Sequence, residues 1–371
     1  MALNSATIKS IQDIMRKDAG VDGDAQRLGQ LTWLLFLKIF DDREQEWEIT
    51  VKKYRSPIPE ELRWRNWAAD TEGLTGDGLL DFINKINESL DFNRSEDRHI
   101  FGDVYEQILK DLQSAGNAGE YYTPRAVTQF MVDMINPQLG ETVLDPACGT
   151  GGFLTCTIDN LRKQVKTPDD EELLQRSVQG IEKKPLPHLL CVTNMLLHGI
   201  DVPTNVRRDN TLARPLASYG PKDRVDCIIT NPPFGEGVKT TIKEKLLAEC
   251  NLHTIVRLPN GVFSPYTGIK TNLLFFIKGS PTKEIWYYEH PYPPGAKSYN
   301  KTKPIRIEEF ETEKAWWFGE EVIIREGEAP AEPNARATKR KSKTAMTSRT
   351  LPLSATPGTV RGSAGASPSR S

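Results

Sequence analysis

From residue 121 onward the chain alternates short apolar runs with helical stretches, and each apolar run stops at a polar or glycine-rich turn. ETVLDPAC, SVQGIEK and VDCIITNPPF are such runs, and HTIVRLP and TNLLFFIKG follow them. All are rich in Val, Ile, Leu, Thr or Phe, the residues that fit a pleated surface. Strands that alternate with helices are joined by crossovers, so the pattern calls for a mainly parallel sheet with helices on both faces. Ligands of such sheets bind at the carboxyl ends of the strands, and the strand ends are where chemistry is to be sought.

The 371 residues suffice for more than one core. Residues 1–115 read as an all-α N-terminal domain: IKSIQDIMRK, AQRLGQLTWLLFLKIFDDREQEW, LLDFINKINESL and IFGDVYEQILKDLQ carry apolar residues at helical spacing. SAGNAGE, at 114–120, reads as a linker, and residues 116–322 as the α/β domain. Residues 323–371 have an Ala, Ser, Pro, Thr and Gly-dense composition. Such a segment buries too little apolar surface to offset its ordering entropy, so a disordered tail is expected. Its KRKSK run reads as a solvated charge run, with contact to DNA as the alternative.

The longest apolar stretch, LTWLLFLKIF, is about half the length needed to cross a bilayer. It leads into DDREQEWE, which reads as the wet end of a buried helix, so no membrane partner is expected. MALNSATIKS has no basic stretch followed by an apolar one, and no secretion signal is read there. Five cysteines without a CxxC pair argue against disulfides and metal, and for a cytoplasmic setting. A net charge of -2 means that any attraction to DNA must come from a local patch or a partner.

LDPACGTGGF, at 144–153, follows one predicted strand and opens a predicted helix. Gly149, Gly151 and Gly152, with Thr150 between them, allow a tight turn and a close approach of backbone to ligand. The run matches neither a phosphate-binding GxxxxGK[ST] nor a dinucleotide GxGxxG. Asp145, just before the glycines, suits a ligand with a positive end, such as the amino-acid part of S-adenosylmethionine. Glu182 sits near the end of the next strand, where a carboxylate accepts ribose hydroxyls, and Asp209 ends the third strand within reach of an adenine ring. The bland alternative is a plain turn with acids at strand ends for solubility. In GEYYTPRAV, Thr123 and Pro124 read as the N-cap and first residue of a helix beside the glycine loop. Tyr121 and Tyr122 would close over a ligand there or, alternatively, belong to the core of a linker helix.

Asn231-Pro232-Pro233-Phe234 ends the fourth strand. The nitrogen of an exocyclic amine on adenine is a poor nucleophile because its lone pair is conjugated into the ring. The Asn231 side-chain oxygen and the Pro232 carbonyl can accept its two hydrogens and free that lone pair. Phe234 can stack on a base swung out of a duplex. No strong general base is required, and alignment supplies the rate gain.

In this order, LTWLLFLKIFDDREQEWE, GEYYTPR, DPACGTGGF, NPPF and EGVKTTIKEKLLAECNLHTIVRLPNGVFSPYTGIKTNLLFFIKG resemble the N6-adenine DNA methyltransferase (modification) subunits of type I restriction–modification systems, over roughly 1–322. The resemblance implies a Rossmann-like methyltransferase fold and S-adenosylmethionine as methyl donor. It places cofactor contacts on Glu120, Tyr121, Tyr122, Thr123, Pro124, Arg125, Asp145, Gly149, Thr150, Gly151, Gly152, Glu182 and Asp209, and catalysis on Asn231, Pro232, Pro233 and Phe234. The implied partners are double-stranded DNA, a specificity subunit, a restriction subunit and a second copy of the chain. Two departures stand out. NPPF joins directly to GEGVKT, where the family has a helix, a strand and a turn, so one interior strand is expected to be missing. The C-terminal helical region of the family is replaced by the tail. A catalytically inactive remnant is therefore the alternative to an active subunit. A protein-glutamine methyltransferase is a further alternative, disfavoured by Phe234 and by the helical N-terminus.

Overall fold

A computed structural model describes residues 23–68, 123–201, 203–232, 240–264, 267–292, 295, 297–300, 302–318, 361–363 and 367–368. The chain divides into two compact units. One comprises Met1–Glu120, Gly149–Gly151 and Lys184–Val206, and the other Tyr121–Cys148, Gly152–Lys183 and Arg207–Ser371.

In the first unit, helix α1 (Gly23–Thr50) buries Leu31, Leu35 and Ile39, spaced four apart on one face. A short helix α2 (Trp64–Trp67) follows, and α6 (Pro185–Leu197) lies against α1. The end of α1 is wet as expected, with Gln45, Glu46, Glu48, Ile49 and Thr50 exposed, but the charges that precede it, Asp41, Asp42, Arg43 and Glu44, are buried. Each is compensated. Lys38 pairs with Asp42 at 2.5 Å, Arg65 with Asp41 at 2.8 Å, Arg43 with Glu46 at 2.7 Å and with Asp201, and the Tyr54 hydroxyl donates to Glu44 at 2.8 Å. Buried charges persist where they are paired in this way.

The second unit holds the sheet. Its strands are β1 (Val143–Asp145), β2 (Val178–Glu182), β3 (Val206–Arg208), β4 (Cys227–Ile229), β5 (Cys250–Leu258), β6 (Thr271–Lys278), β7 (Trp286–Glu289), β8 (Arg361–Ser363) and β9 (Ser367–Pro368). Their order is β3-β2-β1-β4-β8-β6-β5-β7, with β9 beside β6. β1 is parallel to β2 and β4, and β4 to β8, while β6 runs antiparallel to both β5 and β8. Along β5, Leu252, Thr254, Val256 and Leu258 turn inward at the two-residue period of a pleated strand. Val256 and Leu258 join a core with Phe130 of helix α3 (Arg125–Ile135), Phe153 of α4 (Gly152–Arg162), Phe275 and Phe310, against which Trp317 of α8 (Glu311–Phe318) packs. Phe130 stacks on Phe310 at 4.4 Å between ring centroids. Asn136 closes α3 in the left-handed region, at φ 48°. Helix α5 (Pro168–Arg176) precedes β2 in the chain and helix α7 (Thr240–Glu249) precedes β5.

Two expectations about the C-terminus change here. No strand of 231–249 stands beside β4 among the described residues, yet the place is not open: Arg361–Ser363 occupies it, pairing with Cys227–Ile229 on one side and Phe275–Ile277 on the other. The expected disorder of 323–371 is therefore corrected for β8 and β9; the remaining residues of that segment lie outside the described ones. The physical reason is the ladder itself. Two unpaired interior edges offer backbone partners to any extended segment, whatever its side chains.

Beyond β7 a buried polar network anchors the C-terminal part of this unit. His290 Nδ1 meets Glu313, its Nε2 lies 3.2 Å from the Tyr299 hydroxyl, and that hydroxyl donates to Glu309 at 2.7 Å. Gly261 makes room for the same segment: at φ 79° it passes so close that an added Cβ would lie 2.0 Å from the Tyr299 carbonyl oxygen.

Candidate functional site

The carboxyl ends of β1, β2 and β4 supply the acids and the amide expected from the sequence. Asp145 ends β1 with 1% of its surface exposed, and its carboxylate accepts from the Ala147 amide at 3.0 Å. Burial pushes this carboxyl up to about 7; the Ala147 hydrogen bond opposes the shift and the like charge of Glu182 adds to it. The Thr230 hydroxyl acts on the same carboxyl in the lowering direction, yet completes no hydrogen bond of ordinary geometry among the described residues. Glu182 ends β2 half-buried, and its backbone carbonyl accepts from the Asp209 amide at 3.0 Å, which holds the two acids on adjacent strand ends. Asp209 is exposed and caps Asn210 through a 2.7 Å hydrogen bond. The Thr211 hydroxyl donates to the Pro146 carbonyl at 2.6 Å and ties this loop to the end of β1.

The glycines of the turn from β1 to α4 behave differently from one another. Gly149 has φ 54° and open space around it. Gly151 has φ 88°, and a Cβ there would lie 2.8 Å from Cys191 Sγ and 3.2 Å from Met195 Cε. Only glycine fits it on both counts. Thr150 is buried, and its carbonyl accepts from Asn194 Nδ2 at 3.2 Å. Gly152 opens α4.

Asn231 follows β4, the parallel neighbour of β1. Its Nδ2 donates to the Thr123 hydroxyl at 2.9 Å, while its Oδ1 is buried with no hydrogen-bond partner among the described residues. Buried acceptors are rarely left so, and one at the end of a strand is suited to a ligand's hydrogens. Pro232 is exposed. Pro233, Phe234, Glu120, Tyr121 and Tyr122 lie outside the described residues.

Thr123 does not cap its helix as the sequence suggests. The cap is Pro124, whose carbonyl accepts from Val127 and Thr128, and the Thr123 side chain is engaged by Asn231 instead. Arg125 turns to α4, donating to Thr155 at 2.5 Å and to Asp159 at 2.9 Å. The sequence reading missed Thr230 and the Thr123–Asn231 contact. Thr230 adjoins the NPPF run and a strand-end polar residue is itself a signal; the contact spans residues too far apart for any local pattern. Among the described residues no cluster of His, Cys, Asp or Glu could hold a metal ion, and no helix is long and apolar enough to cross a membrane.

Comparison with known proteins gives a consistent family. A model of the N-6 DNA Methylase family matches residues 96–237 and, in a second segment, 234–339; a model of the HsdM N-terminal domain matches 4–118. The methylase subunit of the type I restriction enzyme EcoEI from Escherichia coli is 52% identical, with 85% of this chain and 83% of that one covered. That alignment runs over 411 residues, more than this whole chain contains. Among solved structures, a type I restriction-enzyme modification subunit from Vibrio vulnificus YJ016 superposes with a TM-score of 0.75 at 37% identity, covering 85% of this chain and 90% of that one. A chain of a type I R-M system, solved to explain complex assembly and conformational transition, gives 0.72 at 33% identity, covering 86% and 84%.

Proposed function

The chain belongs to the N-6 DNA methylase family, as a type I modification subunit that methylates adenine N6 in DNA, and from that premise we propose how its residues act. The observation that carries the proposal is the Oδ1 of Asn231 at the end of β4, next to the strand that Asp145 ends: it is buried and has no hydrogen-bond partner among the described residues. Asn231 Oδ1 and the Pro232 carbonyl accept the two hydrogens of the target amine and direct its lone pair out of the ring plane. Phe234 stacks on the flipped base. Once the nitrogen is alkylated its surplus proton passes toward solvent, since neither an amide nor a peptide carbonyl retains it.

The methyl donor we assign is S-adenosylmethionine, which when bound supplies an electrophilic methyl on a sulfonium. The residues fit it. Asp145 offers a buried carboxylate to the ammonium end, Glu182 to the ribose hydroxyls and Asp209 to the adenine ring. Glu120, Tyr121 and Tyr122 complete the assignment from the sequence. Arg125, held by Thr155 and Asp159, is left out of it. Double-stranded DNA is the substrate, with target choice residing in a specificity subunit; a restriction subunit and a second copy complete the complex.

A second reading, an inactive remnant, has an observation of its own. The family match breaks into two segments that meet at 234–237, and the alignment to the EcoEI subunit is longer than this chain. Both support a segment lost after Phe234.

Calorimetric titration with S-adenosylmethionine tests the reading, beside an Asp145→Ala control. Saturable binding that disappears in the control, followed by methyl transfer to duplex DNA with a specificity subunit, is the expected result. A folded chain that binds nothing supports the remnant.

A further inference from the structure

We propose that Thr123 is a positioning residue for methyl transfer: it holds the nitrogen end of the Asn231 amide so that the oxygen end faces the target amine. The proposal rests on the role of Asn231 given above. The two ends of an asparagine amide have nearly the same shape and opposite chemistry, Nδ2 donating and Oδ1 accepting. A target amine presents hydrogens, so an Nδ2 turned toward it sets donor against donor. Only the orientation with Oδ1 toward the target amine is productive.

That orientation needs a partner for the nitrogen, because a donor left unsatisfied in a part-buried position is unfavourable. Thr123 Oγ1, at 2.9 Å, is that partner, and Oδ1 has no hydrogen-bond partner among the described residues. The hydroxyl is available because it does not cap α3, whose cap is Pro124 and makes no side-chain hydrogen bond. The family-derived assignment of Thr123 to the cofactor thus gives way to a role exercised through Asn231.

Nuclear magnetic resonance on the whole chain carrying 15N-asparagine reads the contact directly. The Asn231 side-chain signal is identified by its disappearance in Asn231→Asp. Its hydrogen-bonded amide proton should exchange slowly in the unmutated and Thr123→Ser chains and roughly tenfold faster in Thr123→Val. Equal exchange in all three overturns the proposal, and Thr123→Ala replaces the valine variant if that variant does not fold. With a specificity subunit and duplex DNA, Thr123→Val should lower kcat roughly ten- to hundredfold at unchanged cofactor affinity, with Thr123→Ser restoring most of it. In the Asn231→Asp background, where both side-chain oxygens accept, Thr123→Val should have a much smaller effect. A loss confined to cofactor affinity overturns the proposal. An unmutated chain that transfers no methyl group overturns the proposed function, while the exchange measurement still decides the Thr123–Asn231 contact.

Discussion

Asp145 pairs in register with Gly180 across the β1–β2 ladder, which sets a fully buried carboxyl beside the strand that ends in Glu182. Burial and that neighbouring charge together hold its pKa near 7. A carboxyl raised in this way keeps its proton in the fold to a higher pH than in the unfolded chain. Its contribution to stability is therefore greatest below the ordinary carboxylate range and is lost as pH rises toward 7. Affinity for a ligand with a cationic end runs the other way, because the ionised form does the binding. S-adenosylmethionine affinity should fall about tenfold per pH unit below 7, and Asp145→Asn should bind weakly with a flat profile. Titrations between pH 5.5 and 7.5 check both; a profile equally flat in the unmutated chain would remove Asp145 from the site.

Gly149 and Gly151 should respond unequally to alanine. Gly149 has open space and a φ of 54°, so alanine there should destabilise by about 1 kcal/mol from backbone strain alone. Gly151→Ala adds a collision with Cys191 Sγ and should destabilise by roughly 2–4 kcal/mol. Urea unfolding of the two variants makes the comparison, and similar midpoints would contradict the packing described around Cys191.

The His290–Glu313 contact is buried on both sides, with side-chain exposures of 1% and 1%. Glu313→Ala leaves His290 without that partner and should lower stability by roughly 2–4 kcal/mol. Tyr299→Phe removes one hydroxyl that bridges His290 and Glu309 and should have a smaller effect, about 1 kcal/mol. Thermal unfolding ranks the pair, and the reverse order would mean that Glu309 rather than Glu313 anchors the network.

Gly362 sits opposite Ile228 on one side and Phe276 on the other. Proline at an interior strand position removes a ladder hydrogen bond and clashes with a neighbour, so Gly362→Pro should destabilise by on the order of 2–4 kcal/mol. Ending the chain before β8 should do more, exposing the β4 and β6 edges and promoting self-association visible by light scattering. Unchanged unfolding in Gly362→Pro would show that the sheet does not depend on this strand.

Much of the fold was legible because each apolar run announces its own end. Pro146 follows Asp145, Lys183 follows Glu182 and Thr230 follows Ile229, and the described strands stop there. β7 was missed although Trp286, Tyr287 and Tyr288 favour strands, since its run is too short to stand out. β8 could not be read at all: Arg-Gly-Ser has no strand signature, and only the ladders on either side make it one. The residues of the site were legible by type and spacing, but not their relations. Thr123 next to Pro124 looks like a helix cap locally, and nothing nearby reveals that Asn231 claims its hydroxyl. The displaced pKa of Asp145 likewise depends on what surrounds it, which one-dimensional order does not contain.

The placement of β8 has a consequence for how the sheet comes together. Cys227 must await Arg361, the most distant ladder partner it has, before both of its sides are satisfied. The entropy of closing so long a loop precedes any reward from the ladder. A nascent chain leaving the ribosome would thus carry two half-paired strands until almost all of it had been made. The centre of the sheet, ordinarily the first part to become secure, would here be the last.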